Sequence, residues 1–195
     1  MGMNYFTNPV IFIVDSVFSF YIIAVFLRFL LQWCRADFRN PMSTFLIAIT
    51  HPPLKILRRI VPPMGNIDTA SLVFLFVLQL AADMLLGYLQ GIMSWNAFSV
   101  GGLILTVFAQ LLGLLLNILF YAVFARALLS WFDLGGYSDI SRLLYSLTEP
   151  MLRVFRAMLP NLGGLDLSSL LALMGLQLAE MLFLPPLYQL ASLIS

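Results

Sequence analysis

The sequence predicts an all-α membrane protein. Four transmembrane helices form two parallel repeats of two, with amphipathic in-plane helices in both cytoplasmic loops. Three observations predict this fold. Hydrophobic residues make up 62% of the 195 residues and charged residues only 10%, whereas soluble domains are about 45–50% apolar and about 25% charged. Four stretches are apolar enough to span a bilayer. A stretch of 55 residues, Leu27 to Ala81, also occurs twice.

The two copies are related by a shift of 98 residues without a gap, which places Arg28 on Arg126 and Trp33 on Trp131. Self-similarity at a fixed period indicates an internal duplication. We therefore divide the single integral membrane domain into repeat 1, residues 1–97, and repeat 2, residues 98–195. The other matching positions include Thr50/Thr148, Pro52/Pro150, Leu54/Leu152, Arg58/Arg156, Pro62/Pro160, Gly65/Gly163, Asp68/Asp166, Ser71/Ser169 and Gln79/Gln177.

The membrane spans follow from length, because a hydrocarbon core of about 30 Å needs about 20 apolar residues in a helix. Since the first residues lack the basic region of a signal peptide, we expect the first span to remain as an anchor. Pro185 and Pro186 remove two backbone donors and predict the end of the fourth span, followed by an interfacial tail. The predicted spans are Val10 to Trp33, Asp68 or Thr69 to Ile92, Val100 to Trp131, and Asp166 to Leu184.

The orientation is predicted from the basic residues, since Lys and Arg in short loops stay on the cytoplasmic side. All ten of them lie between Arg28 and Arg59 or between Arg126 and Arg156. Both long loops are therefore predicted to face the cytoplasm, and both termini and the turn around Trp95 to face outward. Because each repeat contains two spans, the repeats share one orientation and their pseudo-twofold axis lies along the membrane normal.

Each cytoplasmic loop contains apolar residues at helical spacing, with basic residues on the other side. Pro52 and Pro150 are expected to cut each segment into a hairpin of two short helices, with Thr50 and Thr148 as caps. Two interpretations remain: the basic face contacts anionic lipid, or the apolar face packs on the protein's own helices. The apolar positions are Met42, Phe45, Leu46, Ile49, Pro53, Ile56, Leu57 and Ile60 in the first loop, and Ile140, Leu143, Leu144, Leu147, Met151, Val154, Phe155 and Met158 in the second. The candidate lipid or partner contacts are Lys55, Arg58, Arg59, Arg153 and Arg156.

Each loop ends in Pro-x-x-Gly-x-(Ile/Leu)-Asp, which closes on Asp68 in repeat 1 and on Asp166 in repeat 2. An Asp at this position can cap the free amides of the next helix, so we favour capping over a ligand site. Arg28 and Arg126 lie inside the predicted spans and could reach these aspartates as two symmetry-related ion pairs. The alternative for these arginines is an anion pathway, because ionisable residues inside membranes are candidates for function.

Five further polar residues are predicted to lie within the spans. Gln79 and Gln177 occupy equivalent positions near mid-bilayer and are candidates for hydrogen bonds between helices. Asp15, Asp83 and Glu180 lie closer to the outer side, where no Lys or Arg accompanies them. These acids are either solvated at the outer surface or line a cation-attracting vestibule.

The sequence offers little for catalysis. His51 is the only histidine and Cys34 the only cysteine. We find no glycine-rich phosphate loop, no nucleophile next to a base and no metal-ligand spacing. We therefore expect no enzyme activity, no cofactor and no metal site. Nor is there a basic soluble module that would bind nucleic acid.

The doubled motif of Arg-x4-Trp, Thr-x-Pro, a basic Arg and Pro-x-x-Gly-x-(Ile/Leu)-Asp resembles the YggT family of bacterial inner-membrane proteins, which has chloroplast relatives, in its two-module form. The resemblance implies a multi-pass protein of the bacterial inner (plasma) membrane. It also implies links to osmotic or ion homeostasis, to membrane organisation near division genes and to assembly of membrane complexes, without catalytic residues. Repeat 2 departs from repeat 1 where Arg59 becomes Ala157 and where Asn40-Pro41 becomes Ser138-Asp139.

Two functions are therefore predicted. The first is a non-enzymatic organiser of the inner membrane surface or of a membrane complex, whose partners are anionic lipids and other membrane or division proteins. The alternative is a small cation transport or channel subunit. Because four spans can hardly enclose a pore, this alternative requires a homo-oligomer.

Overall fold

The computed structural model contains six helices among the residues that it describes. The residues that it describes are 4–34, 40–62, 64, 68–91, 99–131, 139–158 and 167–194. The helices are α1 (Asn4–Trp33), α2 (Pro41–Leu57), α3 (Thr69–Gln90), α4 (Val100–Trp131), α5 (Asp139–Met158) and α6 (Leu167–Ile194). Asp166 and the turn around Trp95, which the sequence analysis singled out, lie outside the described residues.

Four of the helices are long and apolar enough to cross a membrane, which confirms a multi-pass membrane protein. The spanning segments are Asn8–Trp33 of α1, Thr69–Gln90 of α3, Val100–Ser130 of α4 and Ser168–Ile194 of α6. The second span ends where Gly91 adopts a left-handed conformation with φ of 70° and donates its amide to the last turn of α3. Glycine adopts this conformation without steric cost, so it terminates the helix here.

The two spans of each repeat pack on each other. Within the repeats, α1 packs on α3 and α4 packs on α6, and the repeats meet mainly where α3 contacts α4. The duplication is also visible in the core, where Val25 and its counterpart Val123, and Leu54 and its counterpart Leu152, are all fully buried. The loop helices α2 and α5 pack against the spans of their own repeats and touch each other.

The predicted hairpins are wrong, because α2 and α5 each run through their prolines as one continuous helix. A proline removes the amide that would bond to the carbonyl four residues earlier, so Pro53 leaves the Ile49 carbonyl without its usual donor. The Tyr21 hydroxyl of α1 donates to this carbonyl at 3.2 Å. A contact with a spanning helix thus replaces the missing bond, and α2 does not have to break.

The predicted end of the fourth span is also wrong, because α6 continues past Pro185 and Pro186 to Ile194. Two prolines remove two donors, whereas a helix that stopped among apolar surroundings would leave more backbone groups unsatisfied. The end of α6 packs on the start of α4: Ala191 is buried, and Ile194 Cγ2 lies 3.0 Å from the place of a Cβ on Gly101. This packing keeps the last turns helical.

Candidate functional site

The loop helix α2 has three distinct faces. One face, with Ser43, Thr50 and Leu54, is buried against the spanning helices. A second face exposes apolar side chains, among them Phe45 and Ile56. The third face exposes His51 and Lys55, and the turn that follows α2 exposes Arg59. Since residues four apart lie on the same side of a helix, His51 and Lys55 form one strip, and Arg59 follows it just past the end of the helix.

Helix α5 repeats this arrangement 98 residues later. Ser141, Thr148 and Leu152 are buried, and Ile140 and Val154 are exposed apolar residues. The basic residues that α5 exposes are Arg142, Arg153 and Arg156. One face of each loop helix therefore packs on the protein's own helices, which was one of the two interpretations of the loops. An outward surface of apolar and basic residues remains for contacts with lipid or a partner.

A buried arginine attaches each loop helix to a spanning helix. Arg28 Nη1 donates to Thr50 Oγ1 at 2.8 Å, and Arg126 Nη1 donates to Thr148 Oγ1 at the same distance. Both arginine side chains are 5% exposed. Each threonine hydroxyl in turn donates to the carbonyl four residues earlier in its own helix. The threonines therefore accept a hydrogen bond from arginine, and they do not cap a second short helix as the sequence predicted.

Asp68 forms its ion pair with Arg58 and not with Arg28, which corrects the predicted pairing. Its carboxylate also accepts the Ser71 hydroxyl at 2.7 Å. Asp68 does occupy the N-cap position of α3, but its side chain makes no hydrogen bond to the first free amides. Burial alone would raise the pKa of Asp68, but the hydrogen bonds from Arg58 and Ser71 outweigh it and hold the pKa below its ordinary value.

Repeat 2 contains a carboxylate bridge that repeat 1 does not share. Glu149 accepts Arg126 Nη2 at 2.8 Å and Arg156 Nη1 at 3.0 Å. The Arg126 guanidinium also lies 4.0 Å from the centre of the Tyr145 ring, a distance typical of a cation–π contact. Desolvation acts to raise the pKa of Glu149, but the bond from Arg126 and the nearby arginine charges lower it below its ordinary value.

This bridge could not be predicted from the repeat, because position 51 of repeat 1 is a histidine. The signal available was the spacing of seven residues between Glu149 and Arg156, which places both side chains on one face of a helix. The bridge borders a cavity of about 400 Å³ between α4, α5 and α6 of repeat 2. The lining residues are Arg126, Ser130, Tyr145, Glu149, Arg156 and Ser169.

Three acidic residues from three different spans line the same cavity. Asp15, Asp83 and Glu180 all line a single cavity of about 620 Å³ between α1, α3, α4 and α6. The cavity is also lined by the side-chain amides of Gln79, Gln110 and Asn117. Within the described part of the chain, no three acidic, histidine or cysteine side chains are close enough to hold a metal ion directly.

Gln79 links the two repeats at this cavity. Its Nε2 donates to Gln110 Oε1 on α4 at 2.9 Å and to Asp83 Oδ1 at 3.1 Å. The other carboxylate oxygen of Asp83 is buried and has no partner among the described residues. Gln79 thus forms the interhelical hydrogen bond that the sequence predicted, and its partner is Gln110. Gln177 is instead exposed on α6.

Comparison with known proteins identifies relatives of the whole chain. The CCB3/YggT family model matches residues 7–89 and again residues 105–187. A Pseudomonas aeruginosa protein is 39% identical over 186 residues, which is 93% of this chain and 90% of the relative. A Vibrio alginolyticus protein is 40% identical over 178 residues, 90% and 93% of the two chains. Escherichia coli YggT is 32% identical over 174 residues, 89% and 88% of the two chains. The names of these relatives state no activity, and no solved structure matches the chain.

Proposed function

The chain belongs to the CCB3/YggT family, and on this premise we propose that it is a non-enzymatic protein of the bacterial inner membrane that organises the cytoplasmic membrane surface. The observation behind the proposal is the three-faced geometry of α2, in which one face packs on the spans while an apolar face and a basic face remain exposed. The partners that fit these faces are anionic lipids, or an acidic segment of another membrane or division protein.

The order of the faces around α2 suits a helix lying at a membrane interface. Exposed apolar side chains such as Phe45 and Ile56 would enter the boundary between headgroups and acyl chains, as in other interfacial helices. Lys55 and Arg59 would then face the headgroups. A basic residue near an anionic surface contributes about 1 kcal/mol, so a few of them suffice for a preference among lipids.

The structure divides the five candidate basic residues into two groups. Arg58 and Arg156 are held by Asp68 and Glu149, so their charges are already largely compensated. Lys55, Arg59 and Arg153 are exposed and form no ion pair with a described residue. We therefore assign the lipid or partner contact mainly to Lys55, Arg59 and Arg153.

The proposal can be tested on the full-length protein in vesicles that contain phosphatidylglycerol and phosphatidylcholine. Spin-labelled lipids report which headgroup is enriched next to the protein. The triple variant Lys55→Gln, Arg59→Gln, Arg153→Gln should lose the preference for phosphatidylglycerol. His51→Gln, which changes an exposed residue of the same helix face that is neither lysine nor arginine, is the matched control. An unchanged lipid preference in the triple variant would refute the proposal.

A second candidate function is cation transport in support of osmotic or ion homeostasis, and the convergence of Asp15, Asp83 and Glu180 on one cavity favours it. Three carboxylates with no basic residue on the cavity wall attract cations. Flux of potassium or sodium into proteoliposomes tests this function. Asp83→Asn with Glu180→Gln should abolish flux, and Asp139→Asn, at an exposed acid of α5, should not. Absence of flux in the unaltered protein would count against transport.

A further inference from the structure

Gln79 and Gln177 are equivalent residues in the two repeats, but their surroundings differ. Gln79 bonds to Gln110 across the contact between α3 and α4. Gln177 lies on α6, which among the described helices contacts only α4 and α5. Its side chain is exposed, and it has no hydrogen-bond partner in the described part of the chain. One of two duplicated amides thus joins helices, and the other faces away from the protein.

Gln177 lies at a depth where lipid cannot supply a hydrogen-bond partner for its amide. It lies ten residues into α6, which begins at Leu167, and so about 15 Å from that end of the helix. This depth is near the middle of a bilayer core of about 30 Å. Hydrocarbon offers no hydrogen bonds, so an amide that faces it remains unsatisfied. A partner from another chain would satisfy it.

The residues around Gln177 form a stripe suited to another helix. Leu170, Met174 and Met181 are exposed at 54%, 56% and 65%. Together with Gln177 they follow the alternating spacing of four, three and four residues, which is the seam of a left-handed helix pair. Ala172 and Leu176, which are buried, lie on the opposite side of α6. We name the stripe of Leu170, Met174, Gln177 and Met181 the α6 seam.

We propose that the α6 seam is covered by the α6 seam of a second copy of this chain, related by a twofold axis along the membrane normal. Such an axis places the same residue opposite itself. A glutamine side chain both donates and accepts, so two Gln177 amides can bond reciprocally. A single polar residue in an otherwise apolar seam fixes the register of the two helices.

A head-to-tail arrangement fits less well. It would repeat the contact of α3 with α4 by placing α6 of one copy on α1 of the next. The residue of α1 equivalent to Gln110 is Phe12, 98 positions earlier, and Phe12 has no amide to offer. The twofold arrangement supplies a partner for Gln177. It does not depend on what binds in the cavity lined by Asp15, Asp83 and Glu180.

Cysteine cross-linking in native membranes tests the contact directly. Cys34→Ser removes the only native cysteine, and Gln177→Cys is then added. Oxidation should give a covalent dimer with good yield. The control is Val77→Cys in the same background, because Val77 lies at a similar depth in α3 and is 53% exposed. No dimer through position 177, or equal dimer yields at both positions, would overturn the proposal.

A second measurement tests the amide itself. Energy transfer between labelled full-length chains, measured while the protein is diluted with lipid, gives an apparent dissociation constant. Gln177→Leu should raise this constant about eightfold, because it removes both reciprocal bonds and an average interhelical hydrogen bond in a membrane protein contributes a factor of about three. Because the side chain is exposed, this change should leave the fold of each chain intact. Val77→Leu should change nothing, and an unaltered constant in Gln177→Leu would contradict the reciprocal bond.

Discussion

Arg28 donates a 2.8 Å hydrogen bond to Thr50, and 98 residues later Arg126 donates an identical bond to Thr148. In both repeats a buried arginine in the last two turns of a spanning helix is joined to the buried face of the loop helix that follows. The threonine hydroxyl also donates a hydrogen bond to a carbonyl of its own helix, so one side chain satisfies two polar groups. This pair of contacts fixes the loop helices, and with them the orientation of the outward basic and apolar faces.

Replacing Thr50 by the similarly shaped valine should destabilise the protein. It leaves the Arg28 guanidinium buried without its acceptor, and the loss of a partner by a buried polar group costs about 1–3 kcal/mol. Thermal unfolding in detergent measures the loss. Thr44→Val is the control, because the Thr44 hydroxyl bonds the Pro41 carbonyl at an exposed position of the same helix. Equal losses in the two variants would contradict the role of the arginine contact.

The ion-paired carboxylates of Asp68 and Glu149 should make the stability of the protein depend on pH in the acidic range. The pKa values of Asp68 and Glu149 are lower in the folded protein than their ordinary values. Their contribution is therefore fully present above the ordinary pKa values of about 3.9 and 4.3. It is lost as the pH falls through the lower folded pKa values.

The free energy of unfolding, measured from neutral pH to about pH 2, should thus fall steeply at acidic pH in the unaltered protein. We call this fall the acid limb. Asp68→Asn should flatten that limb more than Glu149→Gln does, because Asp68 is buried whereas Glu149 is about one third exposed. Asp139→Asn, on the exposed start of α5, is the matched control and should leave the limb unchanged. A limb of the same steepness in all variants would show that these carboxylates do not control acid unfolding.

Asn40 should contribute to stability through two separate bonds. Its Oδ1 accepts the Met42 amide at 2.8 Å and caps α2, and its Nδ2 donates to the Asp139 carbonyl at the start of α5 at 2.6 Å. Asn40→Ala should cost about 1 kcal/mol for the cap and more for the lost link between repeats. Asn40→Asp keeps the cap but cannot donate, so its loss of stability in thermal unfolding measures the link alone. A fully stable Asn40→Asp variant would mean that the link contributes nothing.

The orientation remains a prediction that reporter fusions can test. The positive-inside rule places both loops in the cytoplasm and both termini outside. Fusions at Trp95 and at Ser195 should give the signal of the outer side, and a fusion in the loop near Lys55 should give the cytoplasmic signal. A cytoplasmic signal from Trp95 or Ser195 would overturn the orientation, and with it the assignment of the basic faces to the inner membrane surface.

The sequence by itself determined the number and order of the spans and the duplicated plan of the chain. The third span was predicted as Val100 to Trp131, and α4 has these bounds. The shift of 98 residues between the copies is also the shift between the two regions that match the family model. These features depend on hydrophobicity and spacing along the chain, which neighbouring residues specify without reference to the rest of the fold.

Only the tertiary structure decided which side chains meet. Whether Asp68 pairs with Arg28 or with Arg58, and whether Asp15, Asp83 and Glu180 share a cavity, depends on how each helix is rotated and tilted against its neighbours. The continuation of α2 through Pro53 likewise depends on Tyr21 from another helix, which supplies the missing donor. Such contacts join residues that are distant along the chain, so local sequence patterns cannot specify them.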